Sequence, residues 1–216
     1  EDRFYFPIKH AILRAAADAG ADAIYCGFQN ATNARNFAGL NFTPNQLQDA
    51  VAYAHARGAK VLLAINSFAT AGRYDLWQKA ADCGAACGVD AFIVADIGVA
   101  AYIAERHAGR RLHLSVQAAA SSPEAINFYC REFGVRRAVL PRILTLAEIH
   151  QLKTEIDCEI ETFIFGNHGL MVEGRCSLTN YAVGISTNMD GACSPPSKVR
   201  YDRDSAGAVI ASLGSH

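Results

Sequence analysis

The chain of 216 residues is 51% hydrophobic and 19% charged, enough to bury one substantial core without a disulfide or metal scaffold, so a single domain is expected. Twenty Lys and Arg against 21 Asp and Glu give a formal net charge of -1, which removes the long-range field that nonspecific nucleic-acid binding needs. No nucleic-acid partner is therefore expected, although the same total leaves room for a local basic pocket.

Short β-rich runs alternate with longer amphipathic ones along the chain. Strands are predicted at Phe4 to Phe6, Ala23 to Cys26, Lys60 to Ile65, Ala91 to Ala95, His113 to Val116, Arg137 to Leu140 and Glu159 to Phe165. Helices are predicted between them at Ala11 to Ala19, Pro44 to Ala56, Tyr74 to Cys87, Val99 to His107, Pro123 to Phe133 and Leu146 to Glu155, with Thr43, Ser122 and Thr145 as N-caps. Gly20, Gly58, Gly88 and Gly134 each stand where a helix should end and an apolar strand begin. The tail from Leu178 to His216 reads as irregular, with helical promise only at Ala206 to Leu213.

Strand and helix in strict alternation mean parallel pairing. No Gly-x-Gly-x-x-Gly follows the first strand, which argues against a dinucleotide-binding sheet. Polar residues instead gather at the predicted C-terminal strand ends: Gln29-Asn30, Asn66-Ser67, Asp96, Ser115, Gln117, Arg142 and Asn167-His168. That is where a (β/α) TIM-like barrel places its active site. About seven parallel strands fall short of a full barrel, so an open or incomplete one is expected over 1–177, with 178–216 as a loop-rich tail of the same domain.

No apolar run approaches the ~20 residues of a transmembrane segment, and the acidic start Glu1-Asp2 lacks the basic flank of a secretory signal. Seven cysteines without framework spacing favour a reducing, cytoplasmic setting. The chain does not begin with Met, and a trimmed piece of a longer protein is expected.

Cys176 and Cys193 lie in Gly- and Pro-rich loop beyond the last predicted strand, a setting suited to a metal or iron-sulfur cluster as well as to inert thiols. His168 is close by in sequence and reads as a metal ligand, a general acid or base, or a solvated loop histidine. Arg35 and Arg142 at the predicted mouth suit a carboxylate-bearing substrate, or each pairs with a structural acid such as Asp96. Asn66 and Gln117 complete the candidate substrate-binding set. Loss of Arg142 is expected to impair substrate handling more than stability, because a side chain in a barrel mouth fills no core volume.

The runs Thr32 to Thr43, Ser115-Val-Gln117, Glu124 to Tyr129, Val139 to Arg142, Glu173 to Cys176 and Gly191 to Pro195 resemble the UbiU-like branch of the collagenase-like peptidase family, over roughly Ala15 to Pro195. The resemblance implies a barrel domain and an iron-sulfur protein, of the 4Fe-4S type. It further implies a homologous UbiV-like partner subunit and oxygen-independent hydroxylation of a small aromatic or quinone-type precursor in ubiquinone biosynthesis. Its four cluster cysteines map to Gly169, Cys176, Cys193 and a position beyond residue 216. Gly169 offers no side-chain ligand, and the adjacent His168 is the candidate replacement. A cluster-free paralogue acting as partner or substrate-binding subunit is the alternative. Peptidase activity ranks third, because no Ser or Cys stands in a recognisable nucleophile motif.

Overall fold

The computed structural model describes residues 4–5, 10–36, 40–165, 172–177, 180–181, 184–191, 199–203 and 209–213. His168, Gly169 and Cys193 lie outside them.

Seven parallel strands form one sheet in the order β1-β2-β3-β4-β5-β6-β7, each pairing with its neighbour in sequence. They are β1 (Phe4–Tyr5), β2 (Ala23–Gly27), β3 (Lys60–Ile65), β4 (Ala91–Val94), β5 (Arg111–Leu114), β6 (Val135–Val139) and β7 (Glu159–Glu161). Between them run α1 (His10–Asp18), α2 (Pro44–His55), α3 (Asp75–Cys87), α4 (Ile97–Arg106), α5 (Pro123–Phe133) and α6 (Leu146–Glu155). The sheet curls into an open TIM-like half-barrel, as the alternation of strand and helix predicts.

Local signals fix the helix ends. Thr43 and Thr145 build capping boxes with Gln46 and Glu148, and the Ser122 side chain accepts from the Ala125 N–H. Gly88 and Gly134 close α3 and α5 with φ of 83° and 68°, a left-handed turn that a β-carbon would strain.

The strands' two faces have different fates. The outward face, including Ile24, Leu63, Phe92, Val94 and Leu112, packs with Leu13, Leu47, Trp77, Ile103 and Ile126 of the helices into the main core. The concave face carries a smaller apolar cluster of Ala23, Leu62, Ala91 and Ile93, with Tyr25 against it. Register continues this face into polar residues, for Ala91 pairs with Arg111, Ile93 with His113, His113 with Arg137 and Arg137 with Glu159.

Three expectations need correction. Strand β5 begins at Arg111 and ends at Leu114, because the Ser115 hydroxyl accepts from the Gln117 N–H and starts a 3-10 turn at Val116–Ala118. Strand β7 stops at Glu161 rather than Phe165, and Ile164 and Phe165 stand exposed past the end of the strand. The tail is neither wholly irregular nor helical: β8 (Val199–Arg203) and β9 (Val209–Leu213) pair antiparallel, Val199 opposite Leu213. Five residues are too few to nucleate a stable helix, and a partner strand satisfies their backbone instead.

Candidate active site at the barrel mouth

The C-terminal strand ends are joined by a continuous polar network. Asn66, at the end of β3, is buried; its Nδ2 donates to Tyr25 Oη (3.0 Å) and to Ser115 Oγ (3.1 Å), while its Oδ1 accepts from the Ala34 N–H (3.0 Å). One side chain thus ties β2, β3, the end of β5 and the loop after β2. The Gln117 N–H donates to Ser115 Oγ (3.2 Å), and Gln117 Oε1 accepts from the Gly174 N–H (2.9 Å). Gly174 has a φ of 74°, and a β-carbon there would lie 1.9 Å from the Gln117 carbonyl oxygen. Only glycine allows this approach.

The same turn carries Glu173 and Cys176. Glu173 is buried and ion-paired with Arg142, whose guanidinium lies 3.5 Å from the centre of the Phe163 ring. A second turn, α7 (Thr187–Asp190), sits beside it: Asn188 Nδ2 donates to the Cys176 carbonyl (3.4 Å), and the Phe68 N–H donates to the Asn188 carbonyl (2.7 Å).

The loop after β2 is organised by asparagines. Asn33 is fully buried; its Oδ1 accepts from the Arg35 N–H (2.9 Å) and its Nδ2 donates to Asn41 Oδ1 (2.8 Å). Asn41 Nδ2 in turn donates to the Arg35 carbonyl (2.8 Å). These bonds hold the backbone of Arg35, and the guanidinium is close enough to Tyr25 to favour its phenolate. Burial dominates and pushes the Tyr25 pKa up to about 12, so the phenol is neutral at physiological pH.

Deeper on the concave face, Arg111 and Arg137 share Glu159, at 2.7 and 2.6 Å, and Arg137 also reaches Glu161 at 3.6 Å. The two guanidiniums hold the Glu159 carboxyl down to about 2. His113 Nε2 accepts from Arg111 Nε (2.9 Å), and His113 Nδ1 is buried with no partner among the described residues. Burial, then the charges of Arg137 and Arg111, lowers the His113 pKa to about 3, so the ring is neutral.

Of the residues singled out from sequence, Asn66, Gln117, Arg142 and Cys176 are therefore linked through one network, and Arg35 joins it through Ala34. The acid beside Arg142 is Glu173 rather than Asp96, which caps α4 and accepts from the Ala69 N–H (3.0 Å). Tyr25, Asn33, Asn41, Glu173 and His113 were not anticipated. The run Arg111-Leu-His113-Leu-Ser115 carries the period of a strand with one polar face, a signal from which His113 was readable.

Among the described residues no three His, Cys, Asp or Glu side chains converge as metal ligands. Cys176 is the family-implied cluster position that falls within the described residues, while Gly169 and Cys193 lie outside them. Ser115 Oγ is engaged by Asn66 and Gln117, and Ser67 Oγ donates to the Ala31 carbonyl, so neither hydroxyl is paired with a histidine base.

The fold and mouth define an open (β/α) barrel with its polar residues at the C-terminal strand ends. Residues 9–211 match Peptidase family U32, and the chain belongs to that family. It is 32% identical over 194 residues to the uncharacterized protease MJ0090 of Methanocaldococcus jannaschii, covering 88% of this chain and 46% of that protein. It is 31% identical over 192 residues to tRNA hydroxylation protein P1 of Bacillus subtilis, covering 89% and 44%. The chain thus spans less than half the length of these curated relatives. The solved structure of the U32 peptidase Mk0906 has the same fold, with a TM-score of 0.63 at 20% identity over 74% of this chain and 67% of that one.

Proposed function

We propose that the chain is the barrel portion of an oxygen-independent hydroxylase component that binds an aromatic ring at the strand mouth. The observation that carries this reading is the hydrogen-bonded path from Tyr25 and Asn66 through Ser115 and Gln117 to the turn holding Cys176. Such a path fixes a ring-binding surface relative to a loop thiol. A neutral Tyr25 phenol, held in place by the Asn66 amide, suits the carbonyl or hydroxyl of a ring, and Arg35 suits an anionic substituent.

The UbiU-like resemblance favours a quinone-precursor substrate and a homologous UbiV-like partner subunit. A relative named for tRNA hydroxylation supports a second reading, in which the ring is an RNA base. The family's iron-sulfur cluster belongs to this proposal: Cys176 and Cys193 would supply thiolates, with His168 beside Gly169. The six thiols of Cys26, Cys83, Cys87, Cys130, Cys158 and Cys176, all free, support the cytoplasmic setting.

The test is anaerobic purification of the full-length protein, alone and with a co-expressed homologue, followed by iron and sulfide analysis and hydroxylation assays on a phenolic quinone precursor and on unmodified tRNA. Iron and sulfide with turnover of one substrate support the reading. A full-length protein without iron removes the cluster and leaves the partner-subunit alternative. Cleavage of a peptide library with neither substrate turned over would favour the peptidase.

A further inference from the structure

At the opposite end of the strands, away from the mouth, a cavity of about 380 Å³ opens between the loop leading into β5 and the turn joining α5 to β6. That volume lies within the roughly 300–1,000 Å³ of small-ligand pockets. Arg110, Arg111, Arg136 and His107 line it together with Phe133 and Gly134, and no carboxylate is among its lining residues.

The charge there is only partly cancelled. Arg110 spends its hydrogen bonds on neutral carbonyls, Nη1 on Val89 (3.0 Å) and Nη2 on Ala85 (3.1 Å). Arg111 is ion-paired with Glu159, and Arg137 bonds both Glu159 and Glu161, so that group is balanced and leaves Arg110 and Arg136. His107 is paired with Asp82 at 2.7 Å. Arg136 is exposed, and among the described residues it has neither an ion pair nor a hydrogen bond. Arginines past helix ends ordinarily neutralise the helix dipole and its last carbonyls, which accounts for Arg110. It does not account for Arg136.

We propose that this cavity is a binding site for a phosphate ester. Arg110, in the turn before β5, and Arg136, at the start of β6, line it without a carboxylate partner among the described residues, and two such cations suit a tetrahedral group with several anionic oxygens, whereas one arginine fork already satisfies a planar carboxylate. A total charge of -1 does not oppose such a site, because the attraction is short-ranged and local. The ester comes either from a small phosphorylated compound or from an RNA backbone. The site is independent of the chemistry at the mouth.

The test is calorimetric titration of the full chain with inorganic phosphate and with a short single-stranded RNA, repeated on Arg136→Glu and on Arg136→Gln. Phosphate should bind the parent chain, and Arg136→Glu should weaken it at least about tenfold with an unchanged melting temperature. If Arg136→Glu fails to fold, Arg136→Gln, which removes the charge without reversing it, carries the comparison. RNA binding that phosphate displaces would assign the site to a nucleic-acid backbone; phosphate binding without RNA binding would assign it to a small ligand. Failure of the parent to bind phosphate, or equal binding by the folded variants, would overturn the proposal.

Discussion

Arg142, just beyond β6, and Glu173, in the loop beyond β7, form a largely buried ion pair that fastens the Cys176 turn to the barrel. Arg142 is therefore a structural clamp, whatever it contributes to substrate binding. Removing it strands a carboxylate that is only 7% exposed.

Arg142→Ala should accordingly lower stability by about 3–5 kcal/mol, the cost of breaking a buried pair on one side. The sequence alone leads to the expectation that substrate handling suffers more than stability, and the contact with Glu173 adds a stability cost of its own. Urea unfolding at neutral pH checks it, and Arg142→Met combined with Glu173→Leu should recover most of the loss. A single variant as stable as the parent would contradict the burial argument.

Gly174→Ala should destabilise the turn far more than Gly72→Ala. Both positions have left-handed backbones, with φ of 74° and 78°, but only at Gly174 does the new carbon meet another backbone atom. Gly72→Ala should cost ~1 kcal/mol for the conformation alone, and Gly174→Ala clearly more. Parallel thermal melts of the two variants make the comparison.

Asn66→Ala removes three hydrogen bonds at once, those to Ala34, Tyr25 and Ser115. At about 1 kcal/mol net for each bond, a loss of ~3 kcal/mol is expected in chemical denaturation. The neutral Tyr25 phenol should also ionise differently once its amide neighbour is gone, which ultraviolet titration reads directly.

The buried His113 makes stability depend on pH. Its pKa is lowered from 6.5 to about 3 in the folded chain, so the unfolded chain binds the extra proton between those values. Stability should fall as pH drops below 6.5, with a slope approaching about 1.4 kcal/mol per pH unit. Glu159, lowered from 4.5 to about 2, adds a loss of the same sign only below 4.5. Between pH 4.5 and 6.5 the slope attributable to His113 should vanish in His113→Gln, and an unchanged slope there would contradict the assignment.

The parts of the fold legible in the sequence are those governed by near neighbours. Thr43, Ser122 and Thr145 cap helices through contacts three residues away, and Gly88 and Gly134 end them. The mouth was legible only in outline. Asn66 and Gln117 stand where strands end, but their partners, Tyr25 and Gly174, are 41 and 57 residues distant. Nothing local distinguishes Glu173 from a solvated loop acid, because its burial depends on an arginine 31 residues away. His113 was placed at the start of its strand, which hid the alternation with Arg111 and Ser115.

The consecutive order of the seven strands bears on how the chain is made. Every strand after the first docks on the one synthesised just before it, so each emerging βα unit meets a surface that has already left the ribosome. Contacts close in sequence form fast, since little loop entropy opposes them. The half-barrel can therefore grow from its N-terminal edge by stepwise addition during translation. On that route the β5 to β7 segment, with Arg111, His113, Arg137 and Glu159, is the last of the sheet to be laid down, and the ion pairs of the concave face close only when β7 arrives.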